Sequence, residues 1–409
     1  MNVRSRVPLA VIGLLTLSLV GCGGGGSVVT NGGGNSGNGG GGGSTPPTPT
    51  EILYASDFGN KLFSFNIDTS SGALTLITTA TIPANTVSTS SIAVAPQGNF
   101  VYATTGTSGV AAYSSNATGA LSPVSGSPFP VATTLQVSGL IVDPKSRFLY
   151  ASDLPSNGAT AGVIGFTIGT GGALTSIPGG PFSSPGLGGP PEAITIDPTG
   201  KFLYASASFD DVLVPGGLNI WGFTIDSQTG VLTSMPGSPF ATQQGGQPQG
   251  IEVDPSGKFL YVALLNTNSI AALTIDSATG ALTTVPGSPF ATAPSQINPQ
   301  TSEFAISPSG KYLYAFNFNG STMSAFTIDS TSGALAPLAG SPFAVNPAAE
   351  GSLIVDPSGK FLYITIGFGP PSAFDIFNID PNTGTLTPNI NSPFAGSEEP
   401  LSLGVAQFN

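Results

Sequence analysis

The fold this sequence predicts is an all-β, seven-bladed β-propeller of four-stranded antiparallel blades, on three observations. First, tyrosine closes a short apolar triplet seven times, at Tyr54, Tyr102, Tyr150, Tyr204, Tyr261, Tyr314 and Tyr363. Second, six of these follow one phrase: VAPQGNFVY, VDPKSRFLY, IDPTGKFLY, VDPSGKFLY, ISPSGKYLY and VDPSGKFLY. Its prolines, Pro96, Pro144, Pro198, Pro255, Pro308 and Pro357, stand 48, 54, 57, 53 and 49 residues apart. A fixed period of this length marks one supersecondary unit stacked many times, each covering its neighbour's apolar face. Third, each period holds four short strands separated by turn residues, which is the content of a propeller blade. Residues 51–409 hold about seven such periods.

The unit is clearest in Gln249–Phe290. Ile251-Glu252-Val253 forms the opening strand, and Asp254-Pro255-Ser256-Gly257 closes it. That tetrapeptide suits a type I turn, with Asp first, Pro with its preset φ second and Gly fourth. Phe259–Leu264 is the second strand and Asn266-Thr267-Asn268 a turn; Ser269–Ile275 is the third strand and Asp276–Gly280 the next turn. Ala281–Val285 is the fourth, and Pro286-Gly287-Ser288-Pro289-Phe290 is expected to end pairing at the sheet edge, because proline cannot donate to a ladder.

The first unit, from Ile52, lacks an opening strand, whereas Pro400–Ala406 is an opening strand without a blade. The two ends are therefore predicted to complete one blade and latch the ring. The opening strands carry large residues at alternate positions (Leu140 and Val142, Ile194 and Ile196, Leu353 and Val355). Small ones stand four before the turn Asp (Ser91, Gly139, Ala193, Gly250, Ser352, Ser402). Large facing small is what tapering wedges require. The phenylalanines closing the GSPF-like segments (Phe129, Phe182, Phe240, Phe290, Phe343, Phe394) are expected between blades; aromatic platforms for a sugar are the alternative reading.

The start of the chain has a different character. Arg4 and Arg6 precede an apolar run from Val7 to Val20, followed by Gly21-Cys22. A basic start, a short apolar core and small residues at the cut describe a secretory signal over residues 1–21. The run is shorter than the roughly 20 residues a membrane-spanning helix needs. Leu19-Val20-Gly21-Cys22 resembles the bacterial lipobox, which implies lipidation of Cys22 and a membrane partner through that lipid. The expected location is extracytoplasmic, as a bacterial lipoprotein in the periplasm or at the cell surface. Cys22 is the sole cysteine, so no disulfide framework exists. Residues 22–50 are rich in Gly, Ser, Asn, Thr and Pro and read as a flexible tether with a reach of roughly 30 Å; residues 51–409 are the propeller.

The formal net charge is −12, and removing Arg4 and Arg6 with the leader makes it −14. That balance excludes nucleic acid, which needs a basic phosphate-contacting surface. Charge also separates the two faces expected of the ring. The face that carries the DPSGK turns takes Lys145, Arg147, Lys201, Lys258, Lys311 and Lys360. The opposite, top face takes Glu192, Glu303, Glu350, Glu398 and Glu399 from the entrances of opening strands, and Asp57, Asp153, Asp210 and Asp211 from loops. Lys61 is its one cation. Such a field concentrates cations. Oxygen ligands of this kind suit Ca²⁺ or Mg²⁺, with Glu192, Glu303 and Glu350 as candidate metal ligands, and the chain has no histidine for an ordinary zinc site. The other reading of the same residues is a solvated acidic rim.

The repeat DPSGKFLYV…TIDSATGALT…GSPF resembles the seven-bladed lactonase family, which includes 6-phosphogluconolactonase-like enzymes, and the YVTN repeats of secreted surface propellers. The resemblance covers residues 51–409 and implies a propeller with a lactone-hydrolysing site at the mouth of its central channel. In that family the opening strand often begins Gly-Pro-Arg-His. Here the matching pairs read Ser138-Gly139, Glu192-Ala193, Gln249-Gly250, Ser302-Glu303 and Gly351-Ser352, and Arg147, in a turn, is the only arginine outside the leader. A phosphorylated lactone would lack its cationic partners.

Glu252 stands two before its turn Asp, where the other units have Ala93, Ile141, Thr195, Ala305, Ile354 and Gly404. A carboxyl on an inner strand either lines a wet channel or is buried with a raised pKa. With Glu192 and Glu303 on neighbouring blades it can form a general-base cluster, for which Lys61 or a divalent cation would stabilise the oxyanion. Gln249, Glu350, Glu399, Asp210 and Asp211 are the candidate ligand-binding residues. The long loops Ser206–Gly217, leading to the lone Trp221, and Leu154–Gly162 suggest shape-fitting to a partner. The leading expectation is a lipid-anchored module that binds a small molecule, glycan or protein through its acidic top face. The alternative is a lactone hydrolase, and a purely structural surface protein is a third reading.

Overall fold

The computed structural model describes residues 50–57, 59–83, 91–105, 109–131, 135–155, 161–183, 191–207, 218–242, 247–292, 301–346, 349–366, 373–395 and 400–408. The leader, Cys22 and the tether lie outside them. Seven antiparallel sheets make the predicted seven blades. The only helical element among the described residues is one 3₁₀ turn, Phe318–Gly320.

The inner strands are, in ring order, Pro400–Phe408, Ile92–Val94, Leu135–Val142, Pro191–Ile196, Pro248–Val253, Thr301–Ile306 and Ala349–Val355. The first completes blade 1: it pairs antiparallel with Thr50–Asp57 along nearly its whole length. The C-terminal strand thus supplies the inner edge that the N-terminal unit lacks, and the ring closes by strand pairing.

Apolar burial lies between blades. Seven clusters of buried side chains each straddle one seam; Leu53, Phe65 and Val405 of blade 1, for example, pack with Tyr363, Phe374 and Ile376 of blade 7. The GSPF-like phenylalanines pack at the rims of these clusters, as Phe290 does between blades 5 and 6. Each fully buried aliphatic or aromatic side chain is worth about 1.5–3 kcal/mol, so the seams carry the stability of the ring.

The repeated tyrosine has a specific task. Its hydroxyl donates to the carbonyl of the turn glycine in the next blade: Tyr150 to Gly230 at 2.7 Å, Tyr204 to Gly280 at 2.7 Å and Tyr261 to Gly333 at 2.9 Å. Tyr314 reaches Gly384 and Tyr363 reaches Gly72, both at 2.9 Å, and Tyr102 reaches Gly172 at 3.2 Å. Only blade 1 differs: Tyr54 bonds Ser115 Oγ at 2.5 Å, and Ser64 Oγ donates to the Gly119 carbonyl at 2.7 Å.

One expectation needs correction. Pairing does not end at the GSPF-like segment. Phe290-Ala291 forms a short fifth strand on the third strand of its blade, with Phe290 opposite Ile270 and Ala291 opposite Ser269. The same occurs at Phe129, Phe240, Phe343 and Phe394. Proline removes only its own donor, and the residue after it is free to rejoin the ladder. The Ser before the proline helps: Ser288 Oγ accepts the N–H of Ala272 at 2.9 Å.

Candidate active site beside the ring axis

The inner strands face the axis with one unpaired edge each, and unpaired N–H groups of a strand edge demand partners. The preceding blade supplies them. Ser402 Oγ accepts from Ile92 N, Ser91 Oγ from Leu140 N and Ser352 Oγ from Leu403 N, each at 3.2 Å, and Thr195 Oγ1 accepts from Val253 N at 3.3 Å. The seryl members of this row were legible only as small residues. Their hydroxyls also strap one blade to the next.

Glu252 belongs to the same system. It stands where blade 4 has Thr195, and its Oε2 accepts the N–H of Ile306 in blade 6 at 3.3 Å. It keeps slight solvent contact, yet protein surrounds its carboxyl. Burial, with a smaller contribution from the charge of Asp254, pushes its pKa up to about 8 against the bond from Ile306. Glu303, on the inner strand of blade 6, is 9% exposed. Burial holds its pKa well above the ordinary value, and the charges of Glu252 and then Glu192 push it further. Glu192, half-buried on the inner strand of blade 4, receives the amide of Gln249: Nε2 donates to Oε2 at 2.6 Å. The backbone behind both is pinned, because Ser152 Oγ donates to the Glu192 carbonyl at 3.0 Å and Ser206 Oγ to that of Gln249 at 2.9 Å.

Glu303 thus senses carboxyls on the two preceding inner strands, and the Gln249 amide orients one of them, Glu192. Burial favours the acid form of both Glu252 and Glu303, which can donate a hydrogen bond. The sequence located these residues but not their protonation state, which depends on packing from neighbouring blades.

The other candidates stand elsewhere in the ring or lie outside the described residues. Lys61 lies on Lys61–Ile67, the third strand out from the axis in blade 1, and its N–H donates to Asp57 Oδ1 at 2.7 Å. Asp57 and Asp153, expected on the acidic rim, are instead fully buried. Burial pushes Asp153 up to about 7. Trp221 is a core residue packed edge-on against Phe223. Asp210, Asp211, Glu398 and Glu399 lie outside the described residues, as do most of the two long loops, and the side chain of Glu350 is likewise outside them. Among the described residues no group of three acidic side chains is arranged to hold a metal ion.

Comparison with known proteins agrees with this architecture. The profile of the family described as lactonase, 7-bladed beta-propeller, matches residues 188–299, the stretch that carries Glu192, Gln249 and Glu252. No curated protein matches the chain by sequence. Among solved structures, a candidate 6-phosphogluconolactonase of Bacteroides fragilis is similar at 21% identity, over 88% of this chain and 99% of that one, with a TM-score of 0.67. A Pseudomonas aeruginosa periplasmic gluconolactonase is similar at 16% identity, over 87% of this chain and 98% of that one, also with a TM-score of 0.67. At these identities the likeness speaks for the fold alone.

Proposed function

We propose that this lactonase-like propeller hydrolyses an unphosphorylated lactone at the Glu192–Glu252–Glu303 cluster. The observation that carries the reading is electrostatic: Glu303 feels the charges of Glu252 and Glu192 from the two preceding inner strands, and burial raises the pKa of both Glu252 and Glu303. Strongly perturbed acids gathered at one place mark a functional site. The substrate class follows from charge. A phosphate would face acids and no cation among the described groups of this cluster, whereas an uncharged lactone would not be repelled. One structural neighbour is itself named a gluconolactonase.

The residues divide the work. Glu303, in its acid form, donates a hydrogen bond to the lactone carbonyl and stabilises the oxyanion that forms, a task for which the sequence offered only Lys61 or a metal. Glu192, oriented by Gln249, takes a proton from the water that adds to the carbonyl carbon. Glu252 gives its proton to the ring oxygen as the C–O bond breaks, and the product is the open hydroxy acid.

The test is hydrolysis of a panel of unphosphorylated sugar and aliphatic lactones by the full chain, with the buffer rate subtracted. Glu192→Gln and Glu303→Leu are each expected to lower kcat by about 100-fold or more. Glu303→Gln, which keeps a donor, should retain more activity than Glu303→Leu. Turnover should decline above about pH 8, as Glu252 loses its proton. No turnover above buffer on any lactone overturns the reading. Because none of the described groups acting on Glu252 or Glu303 is a cation, the second reading is a module that binds polar ligands at this cluster without turning them over. Calorimetric binding, altered by the same substitutions and without turnover, would favour it.

A further inference from the structure

The seam that closes the ring is chemically unlike the other six. In blades 2 to 7 a turn joins the inner strand to the second strand, and these turns pack in series: the glycines at 200, 257, 310 and 359 each lie against the proline of the preceding blade's turn. Blade 1 has no such turn, because its inner strand is the end of the chain and its second strand begins at Thr50. The gap is filled by Glu51, Gln407 and Phe408, the last of which packs on Gly98 of blade 2. Glu51 stands three before Tyr54. At that position five of the other blades have Arg147, Lys201, Lys258, Lys311 or Lys360, and the sixth has Asn99. An acid thus replaces a cation in the one blade whose inner and second strands no turn joins.

Glu51 is 1% exposed, and Asp356 of blade 7, which acts on it, is fully buried. Asp356 is already well supplied with donors. Its Oδ1 accepts the N–H groups of Lys360 and Phe361 at 2.8 and 2.7 Å, and its Oδ2 accepts from Ser358 N at 3.2 Å and from Ser358 Oγ. Glu51 is not. Gln407 Nε2 reaches its Oε1 at 3.3 Å, while its Oε2 is buried with no hydrogen-bond donor. Two buried acids side by side, one rich in donors and one with an orphan oxygen, are reconciled by a proton on Glu51.

We infer that the ring is latched by a single proton, carried by Glu51 and shared with Asp356, so that closure between blades 7 and 1 is sensitive to pH. Burial and the charge of Asp356 push Glu51 up to about 8, against the opposing charge of Lys360. The other titratable groups acting at this seam are Tyr363 and Asp68, and Lys360 Nζ reaches the Thr69 carbonyl of blade 1 at 3.4 Å. The sign follows. A carboxyl with a raised pKa in the folded state stabilises closure below its unfolded value and ceases to do so as pH rises through about 8. Above that, two buried carboxylates repel across a seam that apolar packing and the Tyr363–Gly72 bond otherwise hold.

Hydrogen exchange of the full chain tests the latch. After correction for intrinsic chemical rates, amides of Pro400–Phe408 and Thr50–Asp57 in the wild type should exchange about tenfold faster at pH 9 than at pH 7. Glu51→Gln, which donates to Asp356 at any pH, should abolish that difference, whereas Glu252→Gln should not. An unchanged seam in the wild type, or the same acceleration in Glu51→Gln, overturns the inference. Direct titration of the isotope-labelled Glu51 carboxyl in the wild type is independent of any variant: a midpoint near 8 supports the latch, and one near the ordinary value of 4.5 overturns it.

Discussion

At the scale of single residues, the tyrosine that announces each period is a bolt between blades. Its ring fills a seam, and its hydroxyl satisfies a carbonyl that the next blade buries. The glycine it meets is equally constrained: Gly333 has φ +75°, and a Cβ there would lie 2.4 Å from Phe259 Cδ1. Tyr261→Phe leaves the Gly333 carbonyl buried without a donor and should cost about 1–3 kcal/mol in a denaturant titration. Gly333→Ala must either move the Phe259 ring or strain a left-handed turn, and should cost at least as much. If both variants unfold at the wild-type midpoint, the bolts contribute nothing. The period of these residues could be read from the chain, but the bond could not, because it joins positions about 72 residues apart and exists only once two blades are packed. The same holds for Glu303: its residue type is visible in the sequence, while its raised pKa depends on burial between blades and then on the charges of Glu252 and Glu192.

At the scale of the element, the expectation that a proline-containing segment ends its sheet was too local a reading. The Ser-Pro-Phe-Ala run turns back onto the third strand, where the seryl oxygen takes an N–H: Ser127 from Ala112, Ser238 from Gly222, Ser341 from Ala325 and Ser392 from Ile376, all within 2.9–3.0 Å. Ser288→Ala should leave the Ala272 N–H without that acceptor and destabilise blade 5 by about 1–3 kcal/mol, read as faster exchange of the Ala272 amide. The aspartates of the outer turns act in a similar way. Asp276 Oδ1 accepts from Ala278 N, Thr279 N and Thr279 Oγ1, which explains the repeated Asp-x-x-Thr-Gly pattern by the turn's own donors. These local bonds lie within a few residues and were legible in the repeat. The strapping of each inner strand by the preceding blade was not, since a small residue and a hydrogen-bonding residue look alike when only size is being read.

At the scale of the whole molecule, stability is a property of closure. Ending the chain after Glu399 would remove the inner strand of blade 1 and expose two seams at once; the expected result is loss of the single cooperative unfolding transition, and a cooperative transition near the wild-type midpoint would contradict it. Closure also shapes the response to pH. Burial raises Glu51, Glu252 and Glu303, and Asp153 with them, so the folded state holds more protons than the unfolded chain between about pH 4.5 and 8, and stability falls as pH rises through that window. The exposed turn acids Asp226, Asp276, Asp329 and Asp380 are lowered by their hydrogen bonds, so their contribution is lost only as pH falls below the ordinary carboxylate range. Calorimetry from pH 3 to 9 should therefore find the highest Tm on the acid side of neutrality; a maximum at pH 8 or above would contradict the sign. The sequence by itself determined the blade, the number of blades and the pairing of the two chain ends, because turn chemistry, strand length and period are local and repeat seven times. Only the tertiary structure decided which acids meet, which are buried and which keep a proton, because those properties arise between blades, where residues far apart in the chain share one poorly solvated space.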